Sequence, residues 1–211
     1  MPYCAATAIL AACAMQSTLN CSVCRPPELH RLIALEPDFV GHWLALPRRQ
    51  LATKTVLHGA GSVLDRTWLV ERGLVRSYFS TPQGGEHNRG FHAEGAWVGA
   101  GVVPVPTVCP FTLETMEPTQ VVELAYSVLR EWQQRYPTVG PLLDEAMACM
   151  VLSQTQRESQ LLALTPTERY AAFVQEHGAL AERIPLHHVA SYLGITNVSL
   201  SRIRARIPKP A

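Results

Sequence analysis

The spacing of apolar residues in the last forty positions predicts two short helices separated by a tight turn. The first helix has its apolar residues three and four apart, at Leu186, Val189, Ala190 and Leu193. The second has them at Val198, Leu200, Ile203 and Ile207. Between the two, Gly194 suits the left-handed residue that ends a helix, and Thr196 suits the cap that begins the next. The pattern predicts a helix-turn-helix.

A longer helical stripe covers residues 139–162. Pro137 and Pro141 fit its beginning, and its apolar residues are Val139, Leu142, Leu143, Ala146, Met147, Met150, Val151 and Leu161. Periodicity does not name the partner of this face, so the helix could pack within its own subunit or against a second copy. After it, Thr165, Pro166 and Glu168 have the spacing of a helix cap, which marks a domain boundary.

Short β-rich runs fill residues 63–124. A hairpin signal lies at residues 71–73, a second turn at Gly84 and Gly85, and another at residues 117–118, while Gly95 and Gly99 punctuate the segment between. Several short strands at this spacing predict an all-β roll or barrel.

Charge is concentrated at the C-terminal end. The chain of 211 residues has a net charge of only +1, with 47% apolar and 17% charged residues. From Glu182 onward there is one acidic residue against five basic ones, Arg183, Arg202, Arg204, Arg206 and Lys209. A local cationic patch is what binding to a nucleic-acid backbone requires. The sequence has no glycine-rich phosphate loop, nucleophile elbow or zinc-protease motif and no apolar run near the ~20 residues of a membrane span, so we predict neither an enzyme nor a membrane protein.

Three C-terminal stretches resemble the DNA-binding domain of the Crp/Fnr family of bacterial transcription regulators. They are residues 161–170 (LLALTPTERY), 183–196 (RIPLHHVASYLGIT) and 199–204 (SLSRIR). Residues 70–76 (VERGLVR) and 91–99 (FHAEGAWVG) resemble the double-stranded β-roll of the same family. The likeness covers residues 29–207 and is strongest at the C-terminal end.

The resemblance implies an α+β fold. Its parts would be an N-terminal tail (1–26), a cyclic-nucleotide-binding-like jelly roll (27–136), a long dimer helix (137–163) and a winged-helix-like helix-turn-helix (164–211). It also implies a cytoplasmic homodimer that binds double-stranded DNA and RNA polymerase and responds to a small-molecule effector that the sequence does not identify. The seam of the dimer would lie at Leu143, Met147, Met150 and Val151.

The second helix of the predicted motif would read DNA. The family places an arginine near its middle on a guanine, and Arg202 matches that position. A glutamate usually precedes that arginine by four residues, but here the position is Val198, which cannot accept a hydrogen bond from cytosine and could instead touch a thymine methyl group. The predicted DNA-binding residues are Thr196, Asn197, Val198, Ser199, Ser201, Arg202, Arg204 and Arg206.

The effector is not expected to be a cyclic nucleotide. Members that bind one use a glutamate and an arginine in a phosphate cassette, but the corresponding residues 99–111 contain neither an acid nor an arginine. Prolines in this stretch suggest a rearranged loop, which could form an apolar pocket for another ligand.

Two alternatives remain open. Cys21, Cys24 and Cys109 could serve an iron–sulfur or thiol redox sensor, although their spacing departs from the family's cluster pattern, and they could equally be reduced thiols. The chain could also be a β-roll ligand-binding module that does not bind DNA. We predict no cofactor and no metal site. The N-terminal apolar run has no Lys or Arg before Arg25, so we do not expect a signal peptide, and Met15 could be the true start.

Overall fold

The computed structural model describes residues 36, 38–99 and 105–206. Its strands are β1 (Arg48–Leu51), β2 (Val56–His58), β3 (Val63–Leu64), β4 (Arg66–Arg72), β5 (Val75–Ser80), β6 (Glu86–His92), β7 (Trp97–Val98), β8 (Thr107–Val108), β9 (Thr112–Thr115) and β10 (Thr119–Ala125). Its helices are α1 (Phe39–Leu44), α2 (Tyr126–Arg135), α3 (Val139–Ala163), α4 (Pro166–His177), α5 (Leu180–Arg183), α6 (Leu186–Leu193) and α7 (Asn197–Arg206).

The strands form two four-stranded antiparallel sheets and a small two-stranded one. Their orders are β1-β10-β4-β7, β2-β9-β5-β6 and β3-β8. The side chains between the layers are apolar and buried, including Trp68, Val75, Phe111, Leu113 and Val121. This arrangement confirms the predicted β-roll.

The segment at residues 71–73 is not a hairpin, which corrects the sequence prediction. The strands on either side of it, β4 and β5, belong to different sheets, so the chain crosses from one layer to the other at this point. Gly73 makes the crossing possible because its φ is 105° and an added Cβ would lie 2.5 Å from Oγ1 of Thr119. The turn signal was correct, but a local signal does not decide which strands pair. The predicted turn at Gly84 and Gly85, by contrast, does join a paired hairpin, β5–β6.

Helices α1 and α2, which the sequence reading did not predict, cover the outer face of the first sheet. Their aromatic residues make a second core with the beginning of α3. Phe39 contacts Trp132 edge to face at a ring-centroid distance of 4.7 Å and Tyr136 at 5.5 Å, and Val139 of α3 is buried beside them. This core fixes the first turn of α3 to the roll.

The long helix begins and ends close to the predicted limits. Within the described chain Val139 is its buried residue, and Leu142 and Leu143 pack against the core formed with α1 and α2. Farther along, its apolar side chains are half-buried or exposed, and the exposed ones are Val151 (58%), Leu152 (43%), Leu161 (42%) and Leu162 (81%). None of the helices that the structure describes combines the length and the apolar character needed to span a bilayer.

A third core joins the roll to the C-terminal helices. Leu74, Phe91 and Ala93 of the roll are buried together with residues from α4, from the segment after α5, and from α6 and α7, namely Phe173, Ile184, Val189, Ala190, Tyr192, Leu193 and Leu200. The C-terminal helices are therefore packed against the roll.

Candidate nucleic-acid interface

The turn between α6 and α7 has the geometry of a helix-turn-helix. Gly194 adopts the left-handed conformation (φ 67°, ψ 36°), and the backbone N–H groups of Gly194 and Ile195 return to the carbonyls of Ser191 and Ala190 at 3.2 and 3.0 Å. Oγ1 of Thr196 then accepts a hydrogen bond from the N–H of Ser199 at 3.1 Å, which caps α7. Both predicted caps are confirmed.

Leu200 anchors α7 and leaves the rest of the helix outside. Its side chain is 1% exposed and lies in the third core, while Ser201, Arg202, Arg204 and Arg206 are exposed. Ser199 is half-buried, and its hydroxyl lies 3.0 Å from that of Thr196.

Two positions of the predicted apolar faces point outward. Val198 is 60% exposed and Leu186 is 47% exposed, so neither belongs to the core. For Val198 this exposure agrees with its second predicted role, which is contact with a base. Thr196 and Asn197 are exposed beside it, at the beginning of the same helix. Ile207 lies outside the described residues.

The capping box that begins α4 also forms as predicted. The Thr165 hydroxyl accepts from the N–H of Glu168, and the Glu168 carboxylate accepts from the N–H of Thr165 at 2.8 Å, with Pro166 at the first helical position. The Glu168 carboxylate also accepts a hydrogen bond from the Thr165 hydroxyl at 2.7 Å, and this bond together with the one from the Thr165 N–H lowers the pKa of Glu168. Phe173 of this helix is buried behind α6, whereas Val174 is 38% exposed and does not contribute to that contact.

A buried arginine of the roll meets α6. Arg76 on β5 is 5% exposed and pairs with Glu86 at 2.6 Å and with Glu114 at 2.8 Å. Its Nη1 also lies 3.3 Å from Nδ1 of His188, and Nδ2 of Asn88 lies 3.2 Å from the same nitrogen. Since both neighbours are donors, this nitrogen must be unprotonated. Burial and the Arg76 charge accordingly lower the pKa of His188 to about 4.

A second ionic contact lies on the other side of the same interface. Arg183 of α5 donates to Glu94 at 2.9 and 3.0 Å and also to Glu117, so one cation of the helical domain holds two carboxylates of the roll. Burial alone would raise the pKa of Glu94, but the bonds from Arg183 and from the N–H of Gly73 outweigh it and lower that pKa to about 2.

Helix α3 contacts α6 through one further cationic side chain, that of Arg157. The guanidinium of Arg157 lies 3.8 Å from the ring centroid of Tyr192 and donates to the carbonyl of the same residue. Sequence reasoning counted Arg183 in a cationic patch and did not predict its ion pairs with the roll. It also missed the contacts between domains that Arg76, Asn88, Arg157 and His188 make. Nothing local in the sequence links these pairs, whose members lie 35 to 112 residues apart.

Known proteins with related sequences are bacterial regulators. The chain is 25% identical over 161 residues to Electron transport regulator A of Shewanella oneidensis, a match that covers 71% of this chain and 64% of that protein. It is 23% identical over 173 residues to the Anaerobic regulatory protein of Haemophilus influenzae, covering 77% and 67%. The chain thus spans about two thirds of the length of these relatives. No sequence model of a protein family matches it.

A solved structure shares the fold over most of its length. FixK2 from Bradyrhizobium japonicum superposes with a TM-score of 0.71 at 21% identity, over 77% of this chain and 84% of that one. The sequence matches and the shared arrangement of roll, long helix and helix-turn-helix agree with each other. In sequence and in fold, the chain is similar to regulators of the Crp/Fnr family.

One cysteine of the β-roll is fully buried. Cys109 is 0% exposed, its thiol donates to the carbonyl of Phe111 at 3.1 Å, and burial raises its pKa. A buried thiol with a raised pKa is a poor nucleophile and a poor metal ligand. Cys21 and Cys24 lie outside the described residues, and within the described part no three His, Cys, Asp or Glu side chains are grouped as metal ligands.

The stretch that corresponds to the phosphate cassette, residues 99–111, is described by the structure at Gly99 and from Val105 to Phe111. Those positions contain no charged side chain. The guanidinium of Arg89 lies 4.5 Å from the ring centroid of Phe111, and burial lowers its pKa. Among the described residues, no carboxylate forms an ion pair with Arg89, whereas Arg76 forms ion pairs with Glu86 and Glu114.

Proposed function

We propose that this protein is a sequence-specific DNA-binding transcription regulator that acts as a homodimer. The observation that carries the proposal is the outer face of α7, where Ser201, Arg202 and Arg206 are exposed on a helix that Leu200 anchors and Thr196 caps. Serine hydroxyls suit phosphate oxygens, and an arginine suits the O6 and N7 atoms of guanine. The names of the two sequence relatives support the same function.

We assign Arg202 to a hydrogen-bonded contact with a guanine base edge. The residues on either side of it would contact the DNA backbone or respond to the shape of the DNA. Asn197 and Thr196 lie at the N-terminal end of α7, where the positive end of the helix dipole attracts a phosphate. Val198 offers only an apolar surface, so we expect a thymine methyl group opposite it and no preference for cytosine there. Ser199, Arg204 and Arg206 complete the interface.

The dimer is supported by the exposed apolar side of α3. Met147 and Met150 are half-buried and Val151 is exposed, so a second copy could cover all three. Leu143 differs from these, because it already packs against the core of its own subunit. Two α7 helices in such a dimer would have to lie about 34 Å apart to enter successive major grooves.

The remaining parts of the proposal follow from the family. The roll would bind a small-molecule effector other than a cyclic nucleotide, and RNA polymerase would be the protein partner at promoters. The protein would act without catalysis and would work in the cytoplasm, where the DNA is.

The test measures binding to duplex DNA at different salt concentrations, and compares wild type with a variant that lacks one arginine. Binding of a selected operator duplex should weaken steeply as salt rises from 50 to 200 mM, because phosphate contacts release counterions. Arg202→Ala should lose about 1–3 kcal/mol of this binding, which is roughly five- to 150-fold. The matched control is Arg130→Ala, which removes an exposed arginine from α2. Equal binding by the two variants would refute the assignment of Arg202.

A further inference from the structure

We propose that Glu158 of α3 lies in the dimer seam opposite the same residue of a second copy, and that this contact between like charges keeps the dimer weak. The inference rests on the homodimer of the proposed function and concerns how tightly that dimer associates. Two observations carry it. The row of uncovered side chains on α3 runs through Glu158, and no cation of the described residues pairs with this carboxylate.

The uncovered side of α3 continues from the middle of the helix to its last turn. Its members recur three or four residues apart and therefore lie on one side of the helix, and they are Met147, Val151, Gln154, Glu158 and Leu162. Met147 is half-buried and the other four are exposed, with Val151 at 58% and Leu162 at 81%. Exposed apolar side chains on both sides of Glu158 indicate that the contact with a second copy extends past it.

The two copies of α3 must run parallel if both recognition helices are to reach one duplex. Helix α3 ends at Ala163 and the helix-turn-helix follows it, so the C-terminal ends of the two α3 helices have to lie on the same side of the dimer. In a symmetric parallel pair, each residue at the centre of the seam faces the same residue of the other copy. Glu158 therefore meets a second Glu158, as Val151 meets a second Val151.

The residues around Glu158 do not offset its charge. Its neighbours on the same side of the helix, three and four residues away, are Gln154, Thr155, Leu161 and Leu162. Arg157 is adjacent in sequence but is held elsewhere, because its guanidinium lies 3.8 Å from the ring centroid of Tyr192 and donates to the carbonyl of that residue. Residues next to each other in a helix also do not face each other. The carboxylate is therefore uncompensated within its own subunit.

The second copy supplies no compensation either. In a parallel seam the positions that flank Glu158 on the partner are the same residues of the same helix, and their one cation, Arg157, is held by Tyr192 in each copy. Two facing carboxylates repel each other, and salt screens this repulsion. Dimerisation should therefore be weakest at low salt. Dilution of the protein would then remove the second recognition helix from the DNA.

Analytical ultracentrifugation of the full chain at 50 mM and at 500 mM salt tests the assignment. At 50 mM, Glu158→Gln should dimerise about five-fold more tightly than wild type. Glu158→Leu should dimerise about ten-fold more tightly, because leucine adds apolar contact as well as removing the charge. At 500 mM the advantage of Glu158→Gln should fall below about two-fold. The matched control is Glu131→Gln, which removes an exposed carboxylate from α2 and should leave the dissociation constant unchanged at both salt concentrations.

The outcomes separate the inference from the proposed function. If Glu158→Gln dimerises no more tightly than wild type, or if its advantage is the same at both salt concentrations, the inference is overturned while the homodimer stands. A wild-type dimer that persists on dilution to about 10 nM would also overturn it, because such a dimer is not weak. If wild type and both Glu158 variants are monomers at every concentration, the proposed homodimer fails and the inference fails with it. Glu158 is exposed in the subunit, so equal thermal midpoints should show that the variants fold normally.

Discussion

Lowering the pH from 7 to 5 should destabilise the protein, and His92 at the end of β6 should account for a defined part of the loss. Its Nε2 lies 3.2 Å from the hydroxyl of Ser77, a residue that is 0% exposed. Burial first, and then the charges of Arg89 and His177, lower the pKa of His92 from 6.5 to about 4. The imidazole is therefore neutral in the folded protein at pH 5, although it would be protonated in the unfolded chain.

The sign and size of the effect follow from this difference. Between pH 6.5 and pH 4 the unfolded chain binds a proton that the folded chain does not, so the free energy of unfolding falls as the pH falls through that window. At about 1.4 kcal/mol per pH unit, the loss attributable to His92 at pH 5 is roughly 2 kcal/mol. Glu94, with a pKa of about 2, stays ionised at pH 5 and does not contribute there.

The assay is urea unfolding at pH 7 and at pH 5, at one protein concentration, for wild type and two variants. His92→Gln can keep a hydrogen bond to Ser77 but cannot titrate, so its loss of stability between the two pH values should be about 2 kcal/mol smaller than that of wild type. His188 and His177 have lowered pKa values too and act in the same direction in all three proteins, so the difference isolates His92. His87→Gln removes an exposed imidazole from the same strand and is the control. An equal pH dependence in wild type and His92→Gln would refute the reasoning.

Three further predictions concern the dimer, a helix cap and the roll. Met147→Asp places a charge in the proposed seam and should give monomers by light scattering, whereas Ala148→Asp on another face of α3 should not, and a dimeric Met147→Asp would place the seam elsewhere. Thr165→Ala removes the capping box of α4 and should lower the free energy of unfolding by about 1 kcal/mol in a urea titration, and an unchanged midpoint would contradict that role. Cyclic AMP and cyclic GMP should give no micromolar isotherm by calorimetry, because each charge-assisted bond missing from the cassette costs about 1.5–3 kcal/mol, and a clear isotherm would point to Arg89 as the phosphate partner.

Local chemistry explains why the C-terminal motif could be predicted from the sequence. A left-handed Gly194, a capping Thr196 and the Thr165–Glu168 pair all act within four residues, so the sequence contains the whole interaction. Helix α3 could be placed for the same reason, with its limits at Val139–Ala163. Helix α2 had a comparable signal that the sequence reading passed over, since Tyr126, Leu129 and Trp132 recur every three residues and are all buried.

Strand pairing and domain contact could not be predicted in this way. Whether β4 pairs with β5 or with β10 depends on contacts between residues far apart in the chain. The turn signal at Gly73 is the same in either case. From the sequence alone, an arginine in a strand, such as Arg76, is expected to be exposed to solvent, because its hydrogen-bond and ion-pair partners are not known. Those partners are Glu86, Glu114 and His188, which lie 10, 38 and 112 residues away.

The helix-turn-helix is held from two directions, and this restricts how a signal can reach it. On one side, α6 binds β6 through Ser191 and Asn88. On the other, α3 binds α6 through Arg157, whose guanidinium stacks on Tyr192. The Nη1 atom of Arg157 is buried without a hydrogen-bond partner, so the α3 contact leaves one donor unsatisfied, whereas the β6 contact satisfies the groups named here. A shift of the C-terminal half of α3, beyond the turn that the aromatic core fixes to the roll, cannot preserve both sets of contacts. Because packed interfaces have discrete arrangements, such a shift should move the helix-turn-helix as a unit from one support to the other, which is the kind of two-state element that a ligand in the roll could bias.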